Sequence, residues 1–327
     1  MKEKMQHIKR LIDDEIDKRL QNDNPLIEAL YKSAAYSAAG GKRIRAIFVF
    51  FTGELFDVPE ERLIQPACAI ELIHAASLIM DDLPYMDDSQ LRRGKPANHV
   101  VFGQDVALLA SIGLISEGMQ LVLSDENLTP EERLKVGQVL SASFGFNGLA
   151  AGQFVDLKIK DKHVNFEIIE FINQKKTAAL FSAAGKIAAI IGHADEKQTK
   201  AIQEFSDDIG FAFQIVDDVL DFTGNQERVG KPIGSDLRQG IPTLPAIYYG
   251  EQHPDDQVLL ACLDGTATQE EADGLIKRIN ESGVIDQALA EASLCVENAI
   301  QNLEGFPEGR EKDALSELGP FLLNRDL

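Results

Sequence analysis

Apolar residues recur along the chain with the spacing of α-helices. Between residues 8 and 20, isoleucine and leucine return every three or four positions and fall on one stripe of a helix. Of the 12 prolines, none lies between Pro130 and Pro232, and so long a stretch without proline suits long helices. Strand signals are sparse, and no linker or internal repeat divides the chain. The pattern therefore predicts an all-α fold with a single domain over residues 1–327.

Helix start signals mark three points of the chain. Thr129 precedes Pro130 and two glutamates, and Thr268 is followed three residues later by Glu271; threonine is a favoured N-cap, and glutamate at the third position completes a capping box. The Pro-Glu-Glu sequence at 59–61 places proline and acids where a helix start favours them. The longest uncharged stretch, 136–155, contains polar residues and four glycines. It predicts a buried helix rather than a membrane span.

Composition narrows the functional classes. The 327 residues include 53 acidic and 32 basic side chains, which gives a net charge of −21. This charge argues against a nucleic-acid interface and against docking on an anionic membrane. The first twenty residues carry charges throughout, unlike a secretory signal, and Cys68, Cys262 and Cys295 lie far apart. We therefore expect a cytoplasmic protein without nucleic-acid partner, stable membrane insertion, disulfide framework or zinc site.

A first acidic cluster follows a strongly apolar helix that Pro84 ends or bends. It consists of Asp81, Asp82, Asp87 and Asp88. Four carboxylates so close together repel one another unless a cation holds them. Hard divalent ions such as Mg²⁺ take carboxylate oxygens and bridge readily to phosphate. For this segment alone, a solvated acidic loop is an equally good interpretation.

A second acidic cluster lies inside an apolar helix. At helical spacing, one face carries Gln214, Asp217, Asp218 and Asp221. The flanking residues between 211 and 222 are mostly phenylalanine, valine, leucine and isoleucine, so the carboxylates are costly to desolvate without a cation partner. Two such clusters predict two walls of one metal-filled cavity.

Three basic segments stand out in so acidic a chain. They are GGKRIR at 40–45, LRRGK at 91–95 and KKT at 175–177. Arginine and lysine bind phosphate oxygens, and glycines let backbone amides approach them. Each segment alone is typical of an exposed patch. A diphosphate bound by Mg²⁺ on one side and by arginine and lysine on the other explains all five segments together.

These segments resemble the motifs of trans-prenyl diphosphate synthases, the polyprenyl synthetase family that includes farnesyl and geranylgeranyl diphosphate synthases. The resemblance covers nearly the whole chain and rests on GGKRIR at 40–45, HAASLIMDDLPYMDDSQLRRGKP at 74–96, GLAAGQFVDL at 148–157, KT at 176–177, FQIVDDVLDFTG at 213–224 and GKPIGSDLRQGIPTLP at 230–245. It implies antiparallel helices around a deep central cavity, usually in a homodimer. It also implies a prenyltransferase, in which loss of diphosphate gives an allylic cation that the isopentenyl double bond attacks.

The resemblance also implies roles for individual residues. Three Mg²⁺ ions would be held by Asp81, Asp87 and Asp217. The clusters would be supported by Asp82, Asp88, Asp218 and Asp221. The allylic diphosphate would contact Arg92, Lys176, Thr177, Gln214 and Lys231. Isopentenyl diphosphate would bind to Lys42, Arg45, His74 and Arg93. A lone histidine on an apolar helix is usually a satisfied core residue, but His74 lies two turns before Asp81 on the same face, which favours a ligand role.

Three positions depart from the family pattern. Ile241 and Ser235 stand where many members carry lysine, and Ala46 stands where proline usually follows the basic motif. The first two departures put one or two weak phosphate contacts in doubt.

Product length depends on the helix before the first aspartate. Enzymes that stop at fifteen carbons typically carry an aromatic residue where this chain has Ala76 and Ser77, so the cavity floor is expected to be open, with Ile73 one turn deeper. We expect geranylgeranyl diphosphate, with a farnesyl or a longer-chain product as the alternatives.

Other functions remain open at this point. A class I terpene cyclase shares a DDxxD motif, but its second metal motif differs from 217–221. A non-catalytic synthase subunit would have eroded clusters, whereas both are intact. An unrelated helical scaffold leaves the carboxylates on apolar helices without a partner.

Overall fold

The computed structural model describes residues 1–158, 166–223 and 233–323. In these ranges the helices are α1 (Lys2–Arg19), α2 (Glu28–Ala38), α3 (Ile44–Glu54), α4 (Ile64–Asp81), α5 (Asn98–Phe102), α6 (Gln104–Leu123), α7 (Pro130–Phe144), α8 (Leu149–Lys158), α9 (Phe166–Ile172), α10 (Ala179–Ile191), α11 (Glu196–Thr223), α12 (Ser235–Arg238), α13 (Leu244–Gln252), α14 (Gln257–Leu263), α15 (Gln269–Glu281), α16 (Val284–Asn302) and α17 (Arg310–Leu323). A 3₁₀ turn covers Glu60–Arg62, and a π-helical segment, Asn173–Ala178, joins α9 to α10.

Local helix signals are confirmed where they were clearest. At the start of α7, the Thr129 hydroxyl accepts a hydrogen bond from the Glu132 amide, and the Glu132 carboxylate accepts one from the Thr129 amide. Thr268 and Glu271 make the same reciprocal pair at the start of α15. Each capping box satisfies two amides that the first helical turn leaves without partners.

One local prediction was wrong, and one small element was not predicted. The uncharged stretch 136–155 is not one helix, because α7 ends at Phe144 and α8 begins at Leu149. The chain between them turns so tightly that a Cβ on Gly148 would lie 2.0 Å from the Ser143 carbonyl oxygen, so only glycine fits there. The second difference is a small antiparallel hairpin, β1 (Leu91–Arg92) and β2 (Lys95–Pro96), which the sequence pattern did not indicate.

The core is built around α3, α4, α10 and α11. Helix α4 packs against α6 and α3, α10 packs against α3 and α11, and α11 packs against α16. The Phe48 ring is fully buried, stacks on Phe205 at 5.5 Å between centroids and meets Phe181 edge-on at 5.8 Å. Buried residues from α1 to α17 form one continuous hydrophobic cluster. This packing of helices against helices agrees with the all-α prediction, while the single domain stays a prediction.

Two segments are long and apolar enough to cross a membrane by length and composition alone, Glu60–Asp81 and Gln104–Leu123. In the first, 72% of the most apolar window is buried inside the protein, so packing in the core accounts for its composition. In the second, which is α6, only 39% is buried. Helix α6 therefore leaves an apolar side uncovered by its own chain.

Candidate active site

The first acidic cluster is folded into a tight turn at the end of α4. The Asp87 amide donates to the Asp81 carbonyl over 2.9 Å, so the chain returns and brings the two residues close together. Both carboxyls are largely buried. Burial raises the pKa of Asp81 to about 6, although Lys176 opposes the shift. Burial also raises the pKa of Asp87. Such carboxyls are poorly compensated in the protein alone and are suited to a cation.

Lys176 faces this cluster from the π-helical segment. Its ammonium lies 2.7 Å from Asp156 and 4.0 Å from Asp87. Burial alone would lower the pKa of Lys176, but Asp156, Asp81 and Asp87 outweigh it and hold the pKa above its usual range. Helix α8 supplies Asp156 and also Gln153, whose amide nitrogen lies 3.4 Å from Asp87. Sequence reasoning assigned no role to Gln153 or Asp156, although both lie in the GLAAGQFVDL motif.

The Asp82 carboxylate holds Arg92. The Arg92 Nε lies 3.0 and 3.1 Å from the two Asp82 carboxylate oxygens, and Nη2 makes a further close contact. Asp82 is 2% exposed and the Arg92 side chain is 27% exposed, so this is a partly buried bidentate pair with good geometry. Asp82 therefore orients an arginine. Asp88, also predicted to support the cluster, caps the turn through its amide to Leu83.

Two of the predicted isopentenyl diphosphate ligands, Arg45 and Arg93, lie close enough to His74 to act on its charge. Burial, reinforced by the positive charges of Arg45 and Arg93, holds the pKa of His74 well below its ordinary value, so the imidazole is neutral. Arg45 lies over the Phe181 ring at 5.0 Å, and Arg93 lies against Gly41, where an added Cβ would be 2.9 Å from its Nη1. Lys42, next to Gly41, is exposed. Several guanidinium groups around a neutral imidazole favour the binding of an anion at this place.

The second acidic cluster is joined to the π-helical segment by a chain of hydrogen bonds. The Thr177 hydroxyl donates to the Gln214 Oε1 over 2.6 Å, and the Gln214 Nε2 donates to Asp218 over 2.8 Å. Burial raises the pKa of Asp218 to about 8, although hydrogen bonds from the Leu244 amide and Gln214 oppose it. Thr177 follows Lys176 directly, so one of two adjacent residues contacts the first acidic cluster and the other is linked to the second through Gln214.

Asp218 and Asp221 bind residues between 235 and 244, called here the segment after α11. The Asp218 carboxylate accepts the Leu244 amide at 3.1 Å. The Asp221 carboxylate accepts the Ser235 amide and hydroxyl at 3.1 and 2.8 Å, and the Asp236 amide at 3.2 Å. The prediction that these carboxylates need a cation was therefore incomplete, because backbone amides also satisfy them. Asp217 is the exposed aspartate of the cluster.

The carboxylates of the two acidic clusters fit Mg²⁺ ions that also bind phosphate oxygens. In the part of the chain that the structure describes, no three His, Cys, Asp or Glu side chains converge as a ready-made metal cage. Mg²⁺ does not need one, because it keeps several waters and takes one or two carboxylates together with phosphate oxygens. Asp81 and Asp87 offer carboxylates on one side, and Asp217 offers one on α11. Lys231 lies outside the described residues.

Comparison with known proteins identifies the family. Residues 27–279 match the family model described as polyprenyl synthetase. The chain belongs to the polyprenyl synthetase family. It is 42% identical to the farnesyl diphosphate synthase of Geobacillus stearothermophilus over 67% of this chain and 74% of that one. It is 38% identical to the geranylgeranyl diphosphate synthase of Cyanophora paradoxa over 75% and 82% of the two chains.

Solved structures of the family agree with the fold. The geranylgeranyl pyrophosphate synthetase from Pyrococcus horikoshii superposes with a TM-score of 0.88 at 34% identity, over 98% of this chain and 97% of that one. The all-α prediction is confirmed, and the chain is a prenyl diphosphate synthase, a prenyltransferase of a family that generally uses Mg²⁺. Its substrate classes are isopentenyl diphosphate and allylic diphosphates. The unrelated scaffold is thereby excluded.

One departure from the family pattern has a clear structural partner. Ala46, unlike the usual proline, has an amide hydrogen, and it donates to the buried Glu71 carboxylate over 3.0 Å. The substitution therefore leaves no buried donor unsatisfied.

Proposed function

We propose that this enzyme joins isopentenyl diphosphate head-to-tail to an allylic diphosphate, uses three Mg²⁺ ions and releases mainly geranylgeranyl diphosphate. The observation that carries the site assignment is the pair Lys176 and Thr177. Lys176 contacts the first acidic cluster, and Thr177 is hydrogen-bonded towards the second. This short segment thus places the Lys176 ammonium between the two groups of carboxylates. A diphosphate that binds through metal ions held by those carboxylates would find a positive charge there.

The proposed roles follow the two groups of basic residues. Asp81, Asp87 and Asp217 hold the metal ions, which when bound neutralise the charge of the leaving diphosphate. The allylic diphosphate contacts Arg92, Lys176, Thr177, Gln214 and, outside the described residues, Lys231. Isopentenyl diphosphate occupies the site of Lys42, Arg45, His74 and Arg93. A neutral His74 donates or accepts a hydrogen bond there without repelling the neighbouring arginines.

This chain's own residues prepare the site before substrate binds. Asp82 fixes the Arg92 fork, and Asp156 fixes the Lys176 ammonium. Gln214 is held between Thr177 and Asp218, so its amide cannot turn freely. Groups that are already oriented need not reorganise when charge develops on the departing diphosphate.

Small residues on α4 support the twenty-carbon product. Ser77 lies one helical turn before Asp81 on the same face, next to His74, whose carbonyl accepts the Ser77 hydroxyl at 2.9 Å. Ala76 lies on the neighbouring face with Ile73, and Ile73 contacts α6 where a Cβ on Gly118 would be 3.1 Å away. Both 76 and 77 are buried. A product chain that descends along α4 therefore meets no ring in the first turn. Farnesyl diphosphate is the second candidate because a farnesyl synthase is among the similar proteins.

Sizing of the products tests the proposal. The purified enzyme, given labelled isopentenyl diphosphate and each allylic primer, should release twenty carbons. Ser77→Phe should move the main product towards fifteen carbons while the first condensation persists, and Ser77→Ala should leave product length unchanged. Overpacking costs about 1–3 kcal/mol, so the melting temperature is measured alongside. If the folded, active Ser77→Phe enzyme makes the same product, and Ala76→Tyr does too, the floor lies elsewhere, with Ile73 as the next candidate.

We also propose a homodimer formed through α6. Exposed apolar side chains occur on this helix at Leu108, Leu109 and Ile112, with 38%, 56% and 54% of their surface exposed. The groove between α6 and α7 continues this surface and is flanked by Phe146, which is 94% exposed. An apolar surface of this kind on a chain with a net charge of −21 fits a second copy better than solvent. The cytoplasmic location stays a prediction from the sequence.

A further inference from the structure

The loop that leads into α3 has an unusual backbone. Gly40, Gly41 and Arg43 all have positive φ, of 76°, 81° and 54°. Glycine adopts this region freely, but arginine rarely does without support from its surroundings. Arg43 lies between Lys42 and Arg45 in the sequence. Whatever holds Arg43 in this conformation therefore also sets the direction of the two neighbouring basic side chains.

Arg43 is held inside the protein. It is 5% exposed, and its Nη2 donates to the Ala38 carbonyl over 2.6 Å. Its Nε donates to the Asp13 carboxylate over 2.7 Å, while Nη1 lies 3.6 Å from Glu71. The guanidinium is thus engaged on each side by protein groups, and it is not placed to bind a diphosphate itself.

Asp13 makes the shorter of the two carboxylate contacts to Arg43. Glu71 is more distant, and it also accepts the Ala46 amide. Asp13 is on α1, which packs against α3 and α4, and its carboxylate also contacts Lys9. Helix α1 lies before residue 27, where the match to the family model begins. The family resemblance therefore assigns no role to this contact.

We propose that Asp13 is a positioning residue for the isopentenyl diphosphate site, acting through Arg43 on Lys42 and Arg45. The inference rests on the proposed function, because it takes Lys42 and Arg45 as ligands of that substrate. Two effects of removing Asp13 have opposite signs. Loss of a negative charge near the site strengthens anion binding. A weaker contact to Arg43 loosens the loop, and this weakens anion binding. The direction of the change therefore distinguishes positioning from simple electrostatics.

Steady-state kinetics of the full-length enzyme with Mg²⁺ tests the proposal. Asp13→Asn should raise KM for isopentenyl diphosphate about five- to tenfold, the effect of replacing a charge-assisted hydrogen bond by a neutral one. The kcat and the KM for the allylic substrate should stay within about twofold, since Lys176 and Arg92 do not depend on this loop. Asp13→Glu, which keeps the carboxylate, should recover most of the affinity. The matched control is Asp14→Asn. Asp14 is exposed on the same helix, and its replacement removes the same charge.

Lys42→Ala separates failure of this inference from failure of the site assignment. If Lys42→Ala leaves KM for isopentenyl diphosphate unchanged, the assignment falls and the inference falls with it. If Lys42→Ala raises that KM but Asp13→Asn leaves it unchanged, the assignment stands and the inference is overturned. The inference is also overturned if Asp13→Asn lowers that KM to the same extent as Asp14→Asn. Equal increases in both KM values with a lower melting temperature also overturn it, because they indicate general loosening of α1.

Discussion

Replacement of Asp81 by asparagine should stabilise the metal-free enzyme while it removes activity. Asp81 ends α4, where the helix dipole disfavours a negative charge, and its carboxyl is buried beside Asp87. The unfolded chain leaves the same carboxyl in water. Ionisation of Asp81 is therefore easier in the unfolded state, and the folded protein carries this cost until a cation binds.

The size of the effect follows from the pKa. Burial raises the pKa of Asp81 from its ordinary value of 3.8 to about 6. At about 1.4 kcal/mol for each pH unit, ionised Asp81 costs the folded state up to about 3 kcal/mol. Asparagine keeps the shape without the charge, so the gain at neutral pH should be about 1–3 kcal/mol, or roughly 2–6 °C in Tm.

Melting curves at several pH values test the sign as well as the size. A raised pKa means that the folded state binds more protons than the unfolded state between pH 3.8 and about 6. The wild-type protein should lose stability as pH rises through this window, and the variant should lose less. The two Tm values should therefore agree near pH 4 and differ fully above pH 7. Added Mg²⁺ should raise the Tm of the wild type more than that of Asp81→Asn.

A metal-free Asp81→Asn protein that melts below the wild type at pH 7.5 would refute this reasoning. So would a difference that is as large at pH 4 as at pH 7.5, because it could not come from the charge of Asp81. Loss of turnover alone does not decide the question, since any metal ligand should show it.

Three further outcomes are expected. Asp82→Asn should act in the opposite direction to Asp81→Asn and lower the free energy of unfolding by about 1–3 kcal/mol, because the half-buried Arg92 loses its charged partner; urea unfolding measures this. Lys176→Ala should raise KM for the allylic diphosphate at least tenfold and leave KM for isopentenyl diphosphate within about twofold, and equal effects on both would contradict the separation of the sites. Leu109→Glu should convert a dimer to monomers in analytical ultracentrifugation, and an unchanged mass would place the interface elsewhere.

The sequence was most informative where the signal was local or carried by charge. Capping boxes involve residues three positions apart, so Thr129 and Thr268 could be assigned without knowledge of the fold. The aspartate clusters stood out because carboxylates on apolar helices are costly without partners. The order of the motifs then indicated the family, and the fold implied by that family agrees with the superposition on a solved synthase.

The partners of these residues could not be predicted from the sequence, because they depend on the tertiary structure. Residue type alone does not distinguish Asp82 from Asp81, and the resemblance gave Asp82 a supporting role without naming Arg92 as its partner. Arg43 looks like a third phosphate ligand in GGKRIR, yet the backbone at that residue turns it inwards towards Asp13. The acceptors for the Leu244 and Asp236 amides could not be predicted either, because almost every residue type carries a backbone amide and the sequence does not show which amides bind a side chain.

The way in which Asp218 and Asp221 hold the segment after α11 bears on how this enzyme tolerates sequence change. Two of the bonds come from the amides of Asp236 and Leu244, and every residue except proline carries such a group. Side chains along the segment can therefore vary without releasing it, which accommodates Ser235 and Ile241 in place of the lysines common in the family. Proline at 236 or 244 is the substitution that this arrangement should not survive.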